Sequence, residues 1–142
     1  MPEYWKPHII RLTEFPEARK SKIDASFFPP VPEQKLTEWE KKTGYSIPGE
    51  IRSFLAQSDG LEAQEGELWP VLPFQKWHVI DDPCASSVPM IRFGESGRHA
   101  FFLSLGHSPS IYREELFGPG EEFFASSFSS YLEKIFQGKA DS

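Results

Sequence analysis

The apolar positions of this chain change period along its length. Between 33 and 43 they recur at helical spacing, with Leu36, Trp39 and Thr43 on one face. Pro32 suits the entry of such a helix. Lys41 and Lys42 suit its C-terminal end, and Gly44 its stop, since glycine takes the left-handed conformation cheaply. Thr37-x-x-Glu40 also matches a capping box, which would start the helix later. A second short helix follows. Ile47, Ile51, Phe54, Leu55 and Ser58 share a face. Pro48 is tolerated in its first turn, Ser46 is a candidate cap, and Asp59-Gly60 ends it. Past Gly60 the period shortens. "LWPVLPF" and "KWHVI" are short apolar segments, and "VPMIRFGESGRHAFFLSL" reads as strands 88–93 and 99–105 around a glycine-containing turn. "SIYREELF" is a further strand candidate, and "GPG" at 118–120 a turn. The helical period returns in Phe128, Tyr131, Leu132, Ile135 and Phe136, capped by Ser126 or Ser127 and closed by Gly138.

This order predicts an α+β fold: an N-terminal helix pair, a central antiparallel sheet of about 4–6 strands, and a C-terminal helix. The strands are close in sequence, which favours a meander. Residues 1–31 read differently. "HIIRLTEF" suggests one edge strand, and Pro29, Pro30 and Pro32 forbid regular structure after it. The expectation is an extended arm over 1–31, anchored by Phe27 and Phe28, followed by one domain over 32–138.

Composition narrows the class. The length of 142 residues fits one domain with a sizeable core, and 13 phenylalanines supply apolar mass that a disordered chain lacks. Cys84 stands alone, which excludes an internal disulfide framework and suits a reducing, cytoplasmic compartment. No apolar run approaches the ~18–20 residues of a membrane span, and the N-terminus has no long apolar leader.

The net charge of −6 is unevenly placed. Residues 1–42 hold 8 Lys/Arg against 7 Asp/Glu, or +1; residues 43–142 hold 7 against 14, or −7. The acids cluster as Glu62, Glu65 and Glu67, as Asp81-Asp82, as Glu114-Glu115 and as Glu121-Glu122. A nucleic-acid partner calls for the opposite sign, whereas a basic protein partner suits this one. The candidate partner contacts are Glu62, Glu65, Glu67, Glu114, Glu115, Glu121 and Glu122, with Trp69 and Trp77 as candidate anchors. Solvated loop carboxylates and sheet-buried tryptophans are the plainer readings of the same residues.

Catalytic motifs are scarce. No phosphate-cradling glycine loop occurs. Gly94-Glu95-Ser96-Gly97 lacks a residue of the G-x-S-x-G pattern and reads as a turn. Cys84 with His78, His99 or His107 would make a thiol–imidazole pair only if the fold joined them, and Asp81 and Asp82 beside it disfavour a thiolate. His78, Asp81, Asp82 and Cys84 show no metal-ligand spacing. The expectation is a non-enzymatic binding domain with no cofactor, no metal, no nucleic acid and no membrane.

The run "LTEWEKKTGYSIPGEIRSFLAQSDG" resembles the N-terminal signature of the SUKH superfamily. That signature is a helix carrying a glutamate, then a glycine, an apolar-proline pair, an aromatic-Leu pair and Asn/Asp-Gly. Glu40, Gly44, Ile47-Pro48, Phe54-Leu55 and Asp59-Gly60 stand in those places. Phe93-Gly94 is similar to the family's strand ending in Phe-Gly, and Phe128 and Leu132 match its closing helix. The resemblance covers about 33–137. "RHAFFLSL" departs from it, lacking the acids often found after Phe-Gly. The superfamily includes fungal cell-wall synthesis regulators of the Smi/Knr type and bacterial immunity proteins that neutralise a cognate toxin, often a nuclease. The resemblance therefore implies an α+β fold, no catalysis, and a protein partner such as a basic toxin domain. A regulatory or scaffold domain without a toxin is the second reading. A small hydrolase or metal enzyme using His78, His99, His107 and Cys84 is a third, and it requires those side chains to converge.

Overall fold

The computed structural model describes residues 4–80, 89–105, 110–116 and 121–141. The helix pair forms as the spacing predicts, as α3 (Glu33–Thr43) and α4 (Gly49–Leu55). Gly44 ends α3 at φ 79°. The Thr37–Glu40 capping box does not form, because α3 already begins at Glu33. The Glu40 carboxylate instead accepts the Ile47 N–H at 2.8 Å. Arg52 reaches back from α4 to Glu33 at 2.8 Å and Glu40 at 3.4 Å. The glutamate thus fixes the angle between the helices rather than starting one. Ser46 is not a cap either: Pro48 precedes α4, and no side chain caps it.

Among the described residues, eight strands form one antiparallel sheet: β1 (Ser26–Phe27), β2 (Leu61–Ala63), β3 (Leu68–Val71), β4 (His78–Ile80), β5 (Met90–Glu95), β6 (His99–Ser104), β7 (Ile111–Glu115) and β8 (Glu121–Ala125). The count exceeds the expected 4–6 because β1, β2 and β4 hold only two or three residues, too few to show alternation. The order is β1-β2-β3-β5-β6-β7-β8, and β4 pairs with β5 beside β3. Helix α5 (Phe128–Phe136) covers one face. The Ser127 side chain caps it by accepting the Ser130 N–H, and Glu50 of α4 accepts the Phe128 N–H and the Ser129 hydroxyl. Tyr131 is fully buried among Phe93, Phe101 and Phe124, and its hydroxyl donates to the Pro70 carbonyl at 2.8 Å. That burial raises its pKa well above the ordinary tyrosine value.

The N-terminal segment is not the extended arm that was expected. Residues 5–12 form helix α1 (Trp5–Leu12) and residues 16–20 helix α2 (Pro16–Lys20). Trp5, Ile9 and Leu12 recur at intervals of four and three and are all buried, so the period is helical, not that of an edge strand. Pro7 sits in the first turn, where proline is tolerated. Trp5 packs on Phe54 and Phe128, and its indole N–H donates to Ser53 at 3.2 Å. Only the stretch after α2 is extended. There β1 pairs with β2, Phe27 packs against the core, and Phe28 stacks on Trp69 at 5.8 Å.

Candidate functional site

The sheet has two unlike faces, and a β-bulge decides which residues occupy each. Arg92 pairs with Phe102, but Gly94, not Phe93, pairs with Phe101. Phe93 and Gly94 therefore both face the helices, and Arg92 and Glu95 both face away. Their ion pair at 3.2 Å agrees with that placement. Gly94 lies against the core so closely that an added Cβ would stand 2.7 Å from the Pro70 carbonyl and 2.9 Å from the Tyr131 hydroxyl.

On the face away from α5, register builds two rows. One runs His78, Arg92, Phe102, Tyr112, Phe123 across β4 to β8. The other runs Trp69, Glu95, Ala100, Glu114, Glu121 across β3 and β5 to β8. Phe102 is only 6% exposed yet stands apart from the main core cluster. Tyr112 meets Phe123 edge to face at 6.0 Å, and Phe123 is 58% exposed. Ile80, 44% exposed, lies beyond His78 on β4.

The acids named from sequence are divided by this geometry. Glu62 lies on β2 opposite Trp69 and Pro70, with its side chain away from the buried Leu61 and Ala63. Glu65 is within, and Glu67 just after, the 3-10 turn Gln64–Gly66 joining β2 to β3. Glu114 pairs in register with Glu121 across β7 and β8. Glu115 and Glu122 alternate to the other side. Glu115 pairs with Arg98 at 3.7 Å, and Glu122 pairs with Arg113. Among the described residues no ion pair involves Glu62, Glu67 or Glu114. Trp69 is half-buried beneath Phe28, and Trp77 is buried with its indole N–H on the Leu72 carbonyl at 2.9 Å. Sequence reasoning missed Arg92, Tyr112 and Phe123. The alternation of "IYREE" and the Phe123-Phe124 doublet, one ring outward and one inward, carried that signal.

His78 and His99 do not converge. His78 is exposed on the face away from α5, and His99 is buried on the opposite one; Cys84 and His107, with Asp81 and Asp82, lie outside the described residues. His99 Nδ1 is 2.7 Å from Asp141, and Ser96 donates its hydroxyl to the same carboxylate oxygen. A serine nucleophile needs its proton directed at the imidazole. This trio instead ties the segment after α5 to the β5–β6 turn, helped by Arg113 donating to the Lys139 and Ala140 carbonyls. Among the described residues no group of three or more metal-ligating side chains occurs, and no helix is long and apolar enough to cross a membrane. A cleft of about 890 Å³ lies between α2 and the Gln64–Gly66 turn. The turn's Gln64, at φ 50°, is held there by hydrogen bonds to Ser21 and Asp24.

Fold and site together define an α+β domain with one sheet face packed under helices and the other carrying the Phe102, Tyr112 and Phe123 row. The model of the SMI1 / KNR4 family (SUKH-1) matches residues 30–134, and the chain belongs to that family. No curated protein matches it in sequence. The shared pattern is accounted for by folding. Glu40 holds Ile47 and Arg52, and Phe54 and Leu55 are fully buried. Asp59 accepts the Phe74 N–H at 2.7 Å, Gly60 turns at φ 104°, and Gly94 leaves room for Pro70 and Tyr131.

Proposed function

We propose that this protein is a non-catalytic protein-binding domain, and most concretely an immunity protein that neutralises a basic, nuclease-type toxin in the cytoplasm. Membership of the SUKH family supports the general kind. The observation that carries the finer reading is that the carboxylates of Glu62, Glu67 and Glu114 have no ion pair among the described residues. A nuclease must hold phosphates and so presents cations. An acidic inhibitor associates quickly with such a surface and occludes it. The test is co-purification with the protein encoded by the adjacent gene, at low and high salt. A salt-sensitive complex that inhibits cleavage supports immunity. A complex indifferent both to salt and to charge reversal of the glutamates refutes the electrostatic part. A regulatory or scaffold role is the second reading, favoured by the same family match. It expects no toxin gene beside this one.

A further inference from the structure

We infer that the cleft between α2 and the Gln64–Gly66 turn is a small-ligand site, and that its ligand is a zwitterion with an apolar body, the chemistry of a short peptide with both ends free. Segment 10–25 supplies most of the lining. That segment precedes the family match at 30–134, so the site is no part of the matched pattern. The cleft encloses about 890 Å³, within the range that small ligands occupy. Ala18 and Ile23 give it a buried apolar floor, and Ile10, also lining it, is 51% exposed. Its walls are held in strained backbone. Lys22 at φ 56° and Gln64 at φ 50° are the non-glycine residues of positive φ among the described residues, and both line this cleft. The left-handed region crowds a Cβ, and such strain gathers where a structure fixes the geometry of a site. The Gln64 backbone N–H donates to Asp24 at 2.9 Å and its side-chain amide donates to the Ser21 carbonyl at 2.9 Å. These bonds lock the turn against the exit of α2.

The charges select the ligand. Arg19 and Lys22 line the cleft from α2 and its exit, and Glu67 lines it from the turn. Among the described residues none of the three has an ion pair. Asp24 adds a second carboxylate, against the turn. With two cations and two carboxylates in the lining, a ligand of one sign would cover the other sign without pairing it, which costs desolvation. A zwitterion answers both. Its carboxylate pairs with Arg19 and Lys22, its ammonium with Glu67 and Asp24, and its apolar body lies over Ile10 and Ile23. The site shares only Glu67 with the carboxylates of the binding reading above and does not depend on that reading.

The test titrates the dipeptide leucyl-leucine into the isotope-labelled full chain. Its N-acetyl and C-amide forms, each lacking one charge, are titrated in parallel. The dipeptide should bind saturably at millimolar concentration or below, with amide shifts centred on residues 10–25 and 64–67. Each blocked form should bind about threefold or more weakly. Arg19→Gln with Lys22→Gln should weaken the dipeptide by a similar factor and should not weaken the amide form. Glu67→Gln should weaken the dipeptide and should not weaken the acetylated form. All three side chains are exposed, so these variants keep the fold. No saturable binding, or shifts centred elsewhere, would overturn the site. Blocked forms that bind as well as the dipeptide, or variants that weaken every form alike, would overturn the choice of ligand. Neither failure touches the protein-binding reading, which stands or falls with the product of the adjacent gene.

Discussion

The two faces of the sheet obey different rules although the same strands build both. Under α5, Phe93, Phe101 and Phe124 surround Tyr131 and exclude water. On the side away from α5, Phe102, Tyr112 and Phe123 form a row of similar chemistry, but its last ring is mostly exposed. The packed side serves stability. The other side ends in an exposed ring, Phe123, which contributes little to the fold.

The largest contrast lies between two phenylalanines. Phe101→Ala should cost about 3–5 kcal/mol, since a fully buried ring leaves a cavity. Phe123→Ala should change urea-unfolding stability by less than about 0.5 kcal/mol. Equal losses at the two sites would erase the distinction between the faces. Gly94→Ala should follow at about 3 kcal/mol, because the new Cβ meets a backbone carbonyl that has no room to yield. A thermal midpoint near wild type would show that the bulge relaxes.

Tyr131→Phe should cost about 1 kcal/mol by leaving the Pro70 carbonyl unpaired. It should also change the alkaline limb. Burial raises the Tyr131 pKa, so the unfolded chain loses this proton first, from about pH 10 upwards, and stability falls as pH rises through that range. The variant should lose that part of the slope; an unchanged slope would mean the ionisation of Tyr131 is not coupled to unfolding. The smallest effect is at Glu114. Glu114→Gln should change stability by no more than a few tenths of a kcal/mol, since that carboxylate has no ion pair among the described residues to lose. A larger loss instead would give Glu114 a structural role.

Much of the fold was legible from local signals. The boundaries of α3 and α5, the glycine stops and the β5–β6 hairpin depend on residues within a few positions of each other. The N-terminal helices were obscured because Pro7 and Pro16 look like breakers, while the burial of Trp5, Ile9 and Leu12 depends on partners far along the chain. The acids could be named from sequence, but their grouping could not. Whether Glu114 pairs with Glu121 or Glu122 is decided by register, and whether Arg92 shares a face with Glu95 is decided by one bulged residue. A shift of one position at either place would exchange the faces.

The seam between α1 and the rest of the domain has a consequence for how the chain assembles. The meander β5 to β8 joins neighbours in sequence, whereas Trp5 contacts Gln57 and Ser53 across separations of 52 and 48 residues, and Phe128 across far more. Closing long loops costs entropy before their contacts repay it. We predict that the meander nucleates folding and that α1 docks in the last kinetic step. In stopped-flow refolding, Trp5→Phe should then remove fluorescence amplitude from the slowest phase while leaving the earlier ones intact. Loss of amplitude from the fastest phase instead would place α1 in the nucleus.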